Sequence, residues 1–290
     1  MNNKTHEQSY QEEVAQYTKK DGIHALIYAG YTAVILFLFF VIVDGVGSDL
    51  FRVDGQLTFV AQLSGIVISL TTLLPLFVIL KKKGQSLRSV GLTLIDWKKS
   101  LIGGLIFVVG IILLTTVIPG LLMGWQLNHP SRILWLIVYL LIMAVWEDIV
   151  YIGYIQTRIY GLVKKDFWAI ALGGFIFAVV HYPNLFFRYF ADGATFDLSL
   201  PLYFLFMTSS WIMMHVLFNH NFRYFRSIIT VTLLHFASNL AFRQELWAYT
   251  GDSEPNEFII RGVTIFMMFW VPVFFTWWEK RKATDENETK

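Results

Sequence analysis

The amino-acid sequence predicts an all-α, polytopic transmembrane helical bundle of about eight spans, with both termini on the cytoplasmic side. Of the 290 residues, 56% are hydrophobic and only 15% are charged, and the apolar residues form long uninterrupted runs. Soluble domains are about one quarter charged, whereas about 20 consecutive apolar residues form a helix that crosses a membrane. We therefore expect membrane lipid to be the solvent for most of this chain.

Eight apolar runs are each bounded by charged residues or by Gly, Pro or Asn. They cover residues 24–43, 57–80, 101–123, 133–157, 167–185, 198–218, 227–243 and 257–278. We expect a polar cytoplasmic segment at 1–22, a single membrane domain at 23–279 and a cytoplasmic tail at 280–290. No small-residue cleavage site follows the first run, so this run is expected to remain as an anchor.

The distribution of lysine and arginine predicts the orientation. With the N-terminus inside, sixteen basic residues fall in cytoplasmic segments. The opposite side carries Arg52, Arg132, Arg188, Arg243 and Arg261. This asymmetry follows the positive-inside rule. The net charge of +2 is small and gives no support to nucleic-acid binding.

The segment 81–100 is basic at both ends and apolar in the middle. This pattern fits a segment that lies on the membrane surface, and it fits an ordinary basic loop equally well. The chain has no cysteine, which excludes disulfides, thiolate metal sites and a cysteine nucleophile.

Glu147 and Asp148 are adjacent near the middle of the fourth apolar run. A charged group in hydrocarbon costs several kcal/mol, so residues of this kind usually pair, line a cavity or perform chemistry. Two neighbouring carboxylates are difficult to explain by packing alone. Both are therefore candidate functional residues.

Two further runs each carry a histidine paired with another candidate residue at helical spacing. Phe177 and His181 are four residues apart in the fifth run, and His235 and Asn239 are four apart in the seventh. Residues at this spacing share one helix face. Each pair is a candidate for the site, although a histidine or an asparagine in a span also commonly makes a hydrogen bond between helices. Four other histidines are expected near span ends or loops, where water or headgroups can solvate them: His24, His129, His215 and His220. His215 could instead reach a polar cavity.

These residues resemble three motifs of the CAAX protease and bacteriocin-processing family, also called the Abi or type II CAAX prenyl endopeptidase-like family of intramembrane proteases. The first motif is matched by EDIVYIG, which contains Glu147 and Asp148, and the second by FAVVH, from Phe177 to His181. The third is matched by Ser227, His235 and Asn239. The similarity extends over about 133–243, which we expect to be the protease-like core.

The sequence departs from the family pattern at two positions. Asp148 stands where the family usually has a second glutamate, and Ile152 stands where it has an arginine. Isoleucine can neither orient a carboxylate nor bind an anionic substrate group. The SVGL sequence at 89–92 resembles a short loop signature that often precedes the core in this family.

The resemblance implies a glutamate-type intramembrane endopeptidase that cleaves a membrane-associated peptide or lipidated prepeptide without a cofactor. Glu147 and His181 would activate a water molecule, and His235 and Asn239 would stabilise the oxyanion. Asp148 would hold the geometry or tune Glu147 by repulsion, and Phe177 would wall the site. Bacterial relatives imply a plasma-membrane location.

Three alternatives remain open. Glu147, His181 and His235 could instead bind a catalytic zinc ion, because oxygen and nitrogen ligands suit this metal. Intramembrane carboxylates and histidines also form the proton relays of proton-coupled transporters. The loss of the family's arginine at Ile152 would suit a non-enzymatic immunity or scaffold protein on the same fold.

Overall fold

The computed structural model describes residues 6–46, 48–53, 56–127, 130–191, 199–241, 247–249 and 257–288. These residues form helices and two short antiparallel ribbons. The α-helices are α1 His6–Ala15, α2 Lys19–Phe40, α3 Ser48–Phe51, α4 Phe59–Lys82, α5 Trp97–Ile112, α6 Ile118–Met123, α7 Pro130–Glu147, α8 Thr157–Ile159, α9 Asp166–Val179, α10 Tyr182–Ala191, α11 Ser199–Phe225, α12 Ile228–Ala241 and α13 Glu257–Glu288. The ribbons pair β1 Arg52–Val53 with β2 Gln56–Leu57, and β3 Trp125–Leu127 with β4 Trp247–Tyr249.

The predicted all-α membrane bundle is confirmed. Two apolar helices, α9 and α12, are shorter than a full span and occupy the fifth and seventh predicted runs. The number of eight spans and the side on which the termini lie stay predictions. Within the described part of the chain, six helical segments are long and apolar enough to cross a membrane. They are Lys19–Val43, Phe59–Lys82, Trp97–Leu122, Ile133–Ile159, Leu200–Phe225 and Gly262–Glu279.

The outer helices expose apolar side chains, as expected for a surface in contact with lipid. Ile27 on α2, Leu74 on α4 and Val109 on α5 are 65%, 62% and 62% exposed. A soluble protein would not expose such a continuous apolar surface. Threonine is the N-cap residue of two of these helices. Thr18 caps α2 in a capping box with Asp21, and Thr58 caps α4.

The interior helices pack closely around α12, which contacts α5 and α7. Close approach depends on glycine: a Cβ added at Gly104 of α5 would lie 2.4 Å from a methyl group of Leu233 on α12. On the other side of the bundle, α9 packs against α11. This arrangement brings the candidate residues on α7, α9 and α12 to the middle of the protein.

The fourth span changes its helical form at the first candidate residues. After Glu147 the chain continues as a π-helix, Asp148–Gln156, and all nine residues of this segment are buried. The sequence predicted one uninterrupted run over 133–157, because hydropathy does not distinguish an α-helix from a π-helix. Such π-helical segments are rare and occur frequently at functional sites.

The segment 81–100 packs in part against the bundle, and whether the rest of it lies on the membrane surface stays a prediction. It contains a short 3-10 helix, Leu87–Val90, whose Val90 is fully buried. The buried guanidinium of Arg158 donates to the backbone carbonyl of Ser89 at 2.8 Å and to its hydroxyl at 2.6 Å. Gly153 permits this contact, because a Cβ there would lie 2.4 Å from the carbonyl oxygen of Val90.

Helix α1, within the predicted polar N-terminal segment, packs against the rest of the protein. Tyr10 is fully buried, and its ring lies between the guanidinium groups of Arg223 and Arg226 at 5.1 and 5.0 Å. Glu13 forms an ion pair with Arg226. Burial raises the pKa of the Tyr10 phenol, so this side chain stays protonated at neutral pH. The N-terminal helix is thus part of the folded core.

Candidate active site

Glu147, the last residue of α7, lies between two histidines from other elements. Its Oε2 atom is 3.8 Å from Nε2 of His181 and 3.6 Å from Nε2 of His235. All three side chains are largely shielded from solvent, with exposed fractions of 17%, 25% and 7%. The structure therefore brings together three of the residues that the sequence selected from three separate runs.

His181 lies just beyond the helix on which it was predicted. Helix α9 ends at Val179, and His181 occupies the turn before α10. Its Nδ1 atom is 2.7 Å from the carbonyl oxygen of Phe177. Since a carbonyl can only accept, Nδ1 carries a proton, and Nε2 is the ring nitrogen that faces Glu147. Phe177 also packs edge-on against the His181 ring, with centroids 4.8 Å apart.

The opposite face of His181 is covered by Trp211 of α11. The two rings are stacked, with centroids 4.8 Å apart and an angle of 27° between their planes. Three contacts therefore fix the imidazole: the Phe177 carbonyl, the Phe177 ring and the Trp211 indole. Trp211 was not selected from the sequence, because one of ten tryptophans in an apolar chain carries no distinguishing signal.

Asp148 contacts the imidazole ring of His235. Its Oδ1 atom is 3.1 Å from Nδ1 of His235, and its side chain is almost completely buried. Adjacent carboxylates thus approach opposite nitrogens of one imidazole ring. The sequence did not identify this partner of Asp148, because the partner is 87 residues away.

Asn239 lies one helical turn after His235 on α12 and is half-buried. Within the described part of the chain, its side chain makes no hydrogen bond with Glu147, His181 or His235. Its predicted role at an oxyanion thus stays a prediction.

A second polar pair lies behind Phe177. His215 was expected either to be solvated near a span end or to reach a polar cavity. The first expectation is wrong, because the residue is fully buried and its Nε2 donates to Oε1 of Gln156 at 2.7 Å. Gly173 makes room for this pair, because a Cβ there would lie 1.8 Å from the same oxygen. The sequence could not reveal the pair, since its members are 59 residues apart and lie on different helices.

The metal alternative remains open. Among the described residues, no group of three His, Asp or Glu side chains is arranged as a ready metal site. Glu147 and the two histidines nevertheless present one oxygen and two nitrogen atoms to each other, which is a donor set that zinc accepts.

Residues 128–241 match the model of the family described as type II CAAX prenyl endopeptidase Rce1-like. This segment contains Glu147, Asp148, Phe177, His181, His235 and Asn239. The resemblance identified from the three motifs is therefore confirmed over this part of the chain, which is similar to membrane proteases of the CAAX type. No curated protein matches the chain.

Proposed function

We propose that this protein is a membrane-embedded endopeptidase in which Glu147 activates water to cleave a membrane-associated peptide. One observation carries the proposal: Glu147 faces Nε2 of both His181 and His235 inside the segment that matches a membrane protease family. A carboxylate between two imidazoles, shielded from solvent, suits general acid–base chemistry.

The proposed first step uses the unprotonated Nε2 of His181 together with Glu147. These two acceptors are 3.8 Å apart, so one water molecule can donate to both at ordinary hydrogen-bond lengths. Glu147 would take one proton as the water oxygen attacks the peptide carbonyl carbon. It would then return this proton to the leaving amine as the C–N bond breaks.

The proposed role of His235 is to stabilise the oxyanion that forms on the carbonyl oxygen. Because Nδ1 of His235 faces Asp148, Nε2 can donate only if the ring carries a second proton. The carboxylates of Asp148 and Glu147 on its two sides would stabilise such an imidazolium. Asn239, one turn away, is proposed as a second donor, and one such donor typically contributes about 10²–10³ in rate.

The proposed substrate is a peptide held at the membrane, either by its own apolar residues or by an attached lipid. The matching family is named for the cleavage of prenylated CAAX peptides, so a farnesylated CAAX peptide is a rational first probe. Processing of a bacteriocin or a similar prepeptide in a bacterial plasma membrane is the narrower form of this proposal.

The variant Glu147→Gln tests the proposed base. Glutamine keeps the shape and hydrogen-bonding capacity of glutamate but cannot accept the proton, so cleavage of a farnesylated CAAX peptide should fall to background. Product formation by purified protein in liposomes can be followed by mass spectrometry. Glu279→Gln is the matched control, because Glu279 pairs with Lys99 on the exterior of the bundle and should be dispensable. Normal cleavage by folded Glu147→Gln would refute the proposal.

The wild-type protein and Glu147→Gln also distinguish the alternative functions. A zinc enzyme would lose activity with a chelator and regain it with added metal. A transporter would carry protons across the liposome membrane without any cleaved product. If the protein is an immunity or scaffold protein, cells that carry Glu147→Gln should be protected as well as cells that carry the wild-type protein. We expect cleavage that is insensitive to chelators.

A further inference from the structure

The two ends of the bundle differ in how they are filled. We call the end that holds α1 the α1 end. Helix α4 ends there, because Lys83 after α4 pairs with Asp21 near the start of α2, the helix that follows α1. Helix α9 begins there, because the side chain of its first residue, Asp166, accepts a hydrogen bond from Gln11 of α1. The 14 residues of α9 span about 20 Å at about 1.5 Å per residue, so His181 lies far from the α1 end.

Buried aromatic rings pack against both candidate histidines. Phe177, one turn closer to the α1 end than His181, contacts its ring with centroids 4.8 Å apart. Phe218 contacts the ring of His235 with centroids 4.7 Å apart. Phe177 also packs against Tyr151 and Phe218, at centroid distances of 5.7 and 6.5 Å. The two histidines therefore rest on a connected group of aromatic side chains.

This aromatic packing continues to α1. Phe222, one turn after Phe218 on α11, packs edge-on against Tyr10 of α1, with centroids 6.4 Å apart. A Cβ added at Gly91 would lie 2.4 Å from the Phe222 ring, so the loop after α4 presses on the same ring. Each of these aromatic residues is at most 3% exposed. We call them the aromatic plug, which consists of Tyr10, Tyr151, Phe177, Phe218 and Phe222.

The backbone of the fourth span closes the same end. Every residue from Asp148 to Gly161 is buried. A Cβ at Gly153 would lie 2.4 Å from the carbonyl oxygen of Val90, and one at Gly161 would lie 2.0 Å from that of Thr18. The chain on either side of α1 and the loop after α4 thus approach this span so closely that a methyl group has no space at these two positions.

The site is more accessible from the opposite direction. Glu147 and His181 are 17% and 25% exposed, and Asn239, one turn beyond His235 away from the α1 end, is half-buried. Glu147 and His181 also line a small cavity. Because α2 begins and α4 ends at the α1 end, the walls that these helices give the cavity lie in its far half. They are Leu36, Phe39, Phe40, Gly65, Ile68 and Ser69.

We propose that substrate reaches Glu147 only from the end of the bundle remote from α1, which the predicted orientation places on the extracytoplasmic side. The substrate is then a peptide exposed on the outer face of the membrane, such as an exported prepeptide, and a peptide confined to the cytoplasm is not cleaved. This inference rests on the proposed function, because it assigns a substrate class to the same site, and on the predicted orientation.

The cost of the alternative route supports this direction. A peptide that entered from the α1 end would have to displace the close-packed rings of the aromatic plug. It would also bury its polar backbone among them without hydrogen-bond partners, which is strongly unfavourable. From the far side, parts of Glu147 and His181 are already accessible.

Labelling of single cysteines tests the route without relying on cleavage, because the chain has no cysteine of its own. His181→Cys reports on the site, and Gly84→Cys reports on the α1 end, where Gly84 is exposed next to Lys83. An impermeant thiol reagent should label His181→Cys but not Gly84→Cys in right-side-out vesicles, and the reverse in inverted vesicles. Thr157→Cys, a change of little volume at a fully buried position, is the matched control and should stay unlabelled in both.

The site cysteine decides the outcome. Labelling of His181→Cys from the cytoplasmic side or from neither side overturns the inference, and so does labelling of Thr157→Cys from the cytoplasmic side. If His181→Cys folds poorly, Met143→Cys takes its place with the same expectation, because Met143 lines the same cavity.

A farnesylated CAAX peptide with a sulfonated, membrane-impermeant tag tests the substrate class. Right-side-out vesicles that contain the wild-type protein should cleave it, whereas inverted vesicles should lose the cleavage and regain it when detergent opens them. Glu147→Gln should give background in every sample. Cleavage confined to inverted vesicles overturns the inference and leaves the proposed protease intact. Absence of cleavage even in detergent overturns the proposed function for this peptide and the substrate class with it, whereas the labelling still decides the route.

Discussion

At the scale of single residues, the imidazole of His235 lies between two carboxylates that are adjacent in the chain. Asp148 approaches Nδ1 at 3.1 Å, and Glu147 approaches Nε2 at 3.6 Å. This geometry gives the two acids different tasks. Glu147 lines the cavity, where we propose that it takes up and returns a proton, whereas Asp148 is buried against the other side of the ring.

Asp148→Asn should therefore lower activity through His235. Asparagine keeps the size but removes the charge that stabilises a protonated ring and can present an amide to Nδ1 in place of an acceptor. We expect kcat to fall by at least about 10-fold with little change in KM, because the loss concerns the transition state. Asp148→Glu, which restores the acid usual in the family, should recover part of the rate.

The exposed residue Asp96 supplies the control for this measurement. Asp96→Asn should keep the wild-type kcat and the wild-type pH–rate profile. If Asp148→Asn behaves in the same way, Asp148 does not act through His235, and its proximity to the ring has only a structural role.

At the scale of elements, the N-terminal helix α1 is the helix whose burial hydropathy predicts least well. Its sequence is polar, yet Tyr10 and Val14 are buried and Glu13 pairs with Arg226. Arg226 has a positive φ of 54° and lies two residues before the start of α12, the helix that carries His235. Through this contact α1 stabilises the turn from which α12 begins.

Tyr10→Ala should destabilise the protein markedly. The fully buried ring packs against Tyr160 and Phe222, and loss of a buried aromatic side chain typically costs about 3–5 kcal/mol. A lower thermal unfolding midpoint in detergent would reveal the effect. Tyr10→Phe retains the ring and should cost much less stability, since it removes only the hydroxyl, which lies 3.5 Å from Oδ1 of Asn219. Tyr31→Ala, at a tyrosine that is 39% exposed, is the matched control, and an equal loss in this variant would contradict a specific role of α1.

At the scale of the whole molecule, the predicted orientation has a direct test. The chain contains no cysteine, so single cysteines can be introduced without background labelling. Cysteines at positions 84, 164 and 224 should resist an impermeant thiol reagent added outside, because basic cytoplasmic segments surround them. Those at 193 and 252, which lie outside the described residues, should react. The reverse pattern would show that the orientation is wrong, and cysteine-free wild type gives the baseline.

The sequence by itself determined the membrane bundle and the identity of the central candidates. Runs of apolar residues dictate helices, because backbone groups in lipid must be paired internally, and the cost of a charge in hydrocarbon singles out Glu147 and Asp148. Local spacing likewise linked Phe177 with His181. These conclusions depend only on neighbours within a few residues or on overall composition.

Only the tertiary structure decided which groups meet. The contacts of Asp148 with His235, of His181 with Trp211 and of Gln156 with His215 join residues on different helices, and no hydropathy pattern specifies how helices pack. The small cavity beside Glu147 likewise forms only where α2, α4 and α7 meet Tyr151, Val180 and His181. Packing is fixed by the shapes of many side chains together, so it appears only when the whole chain is folded.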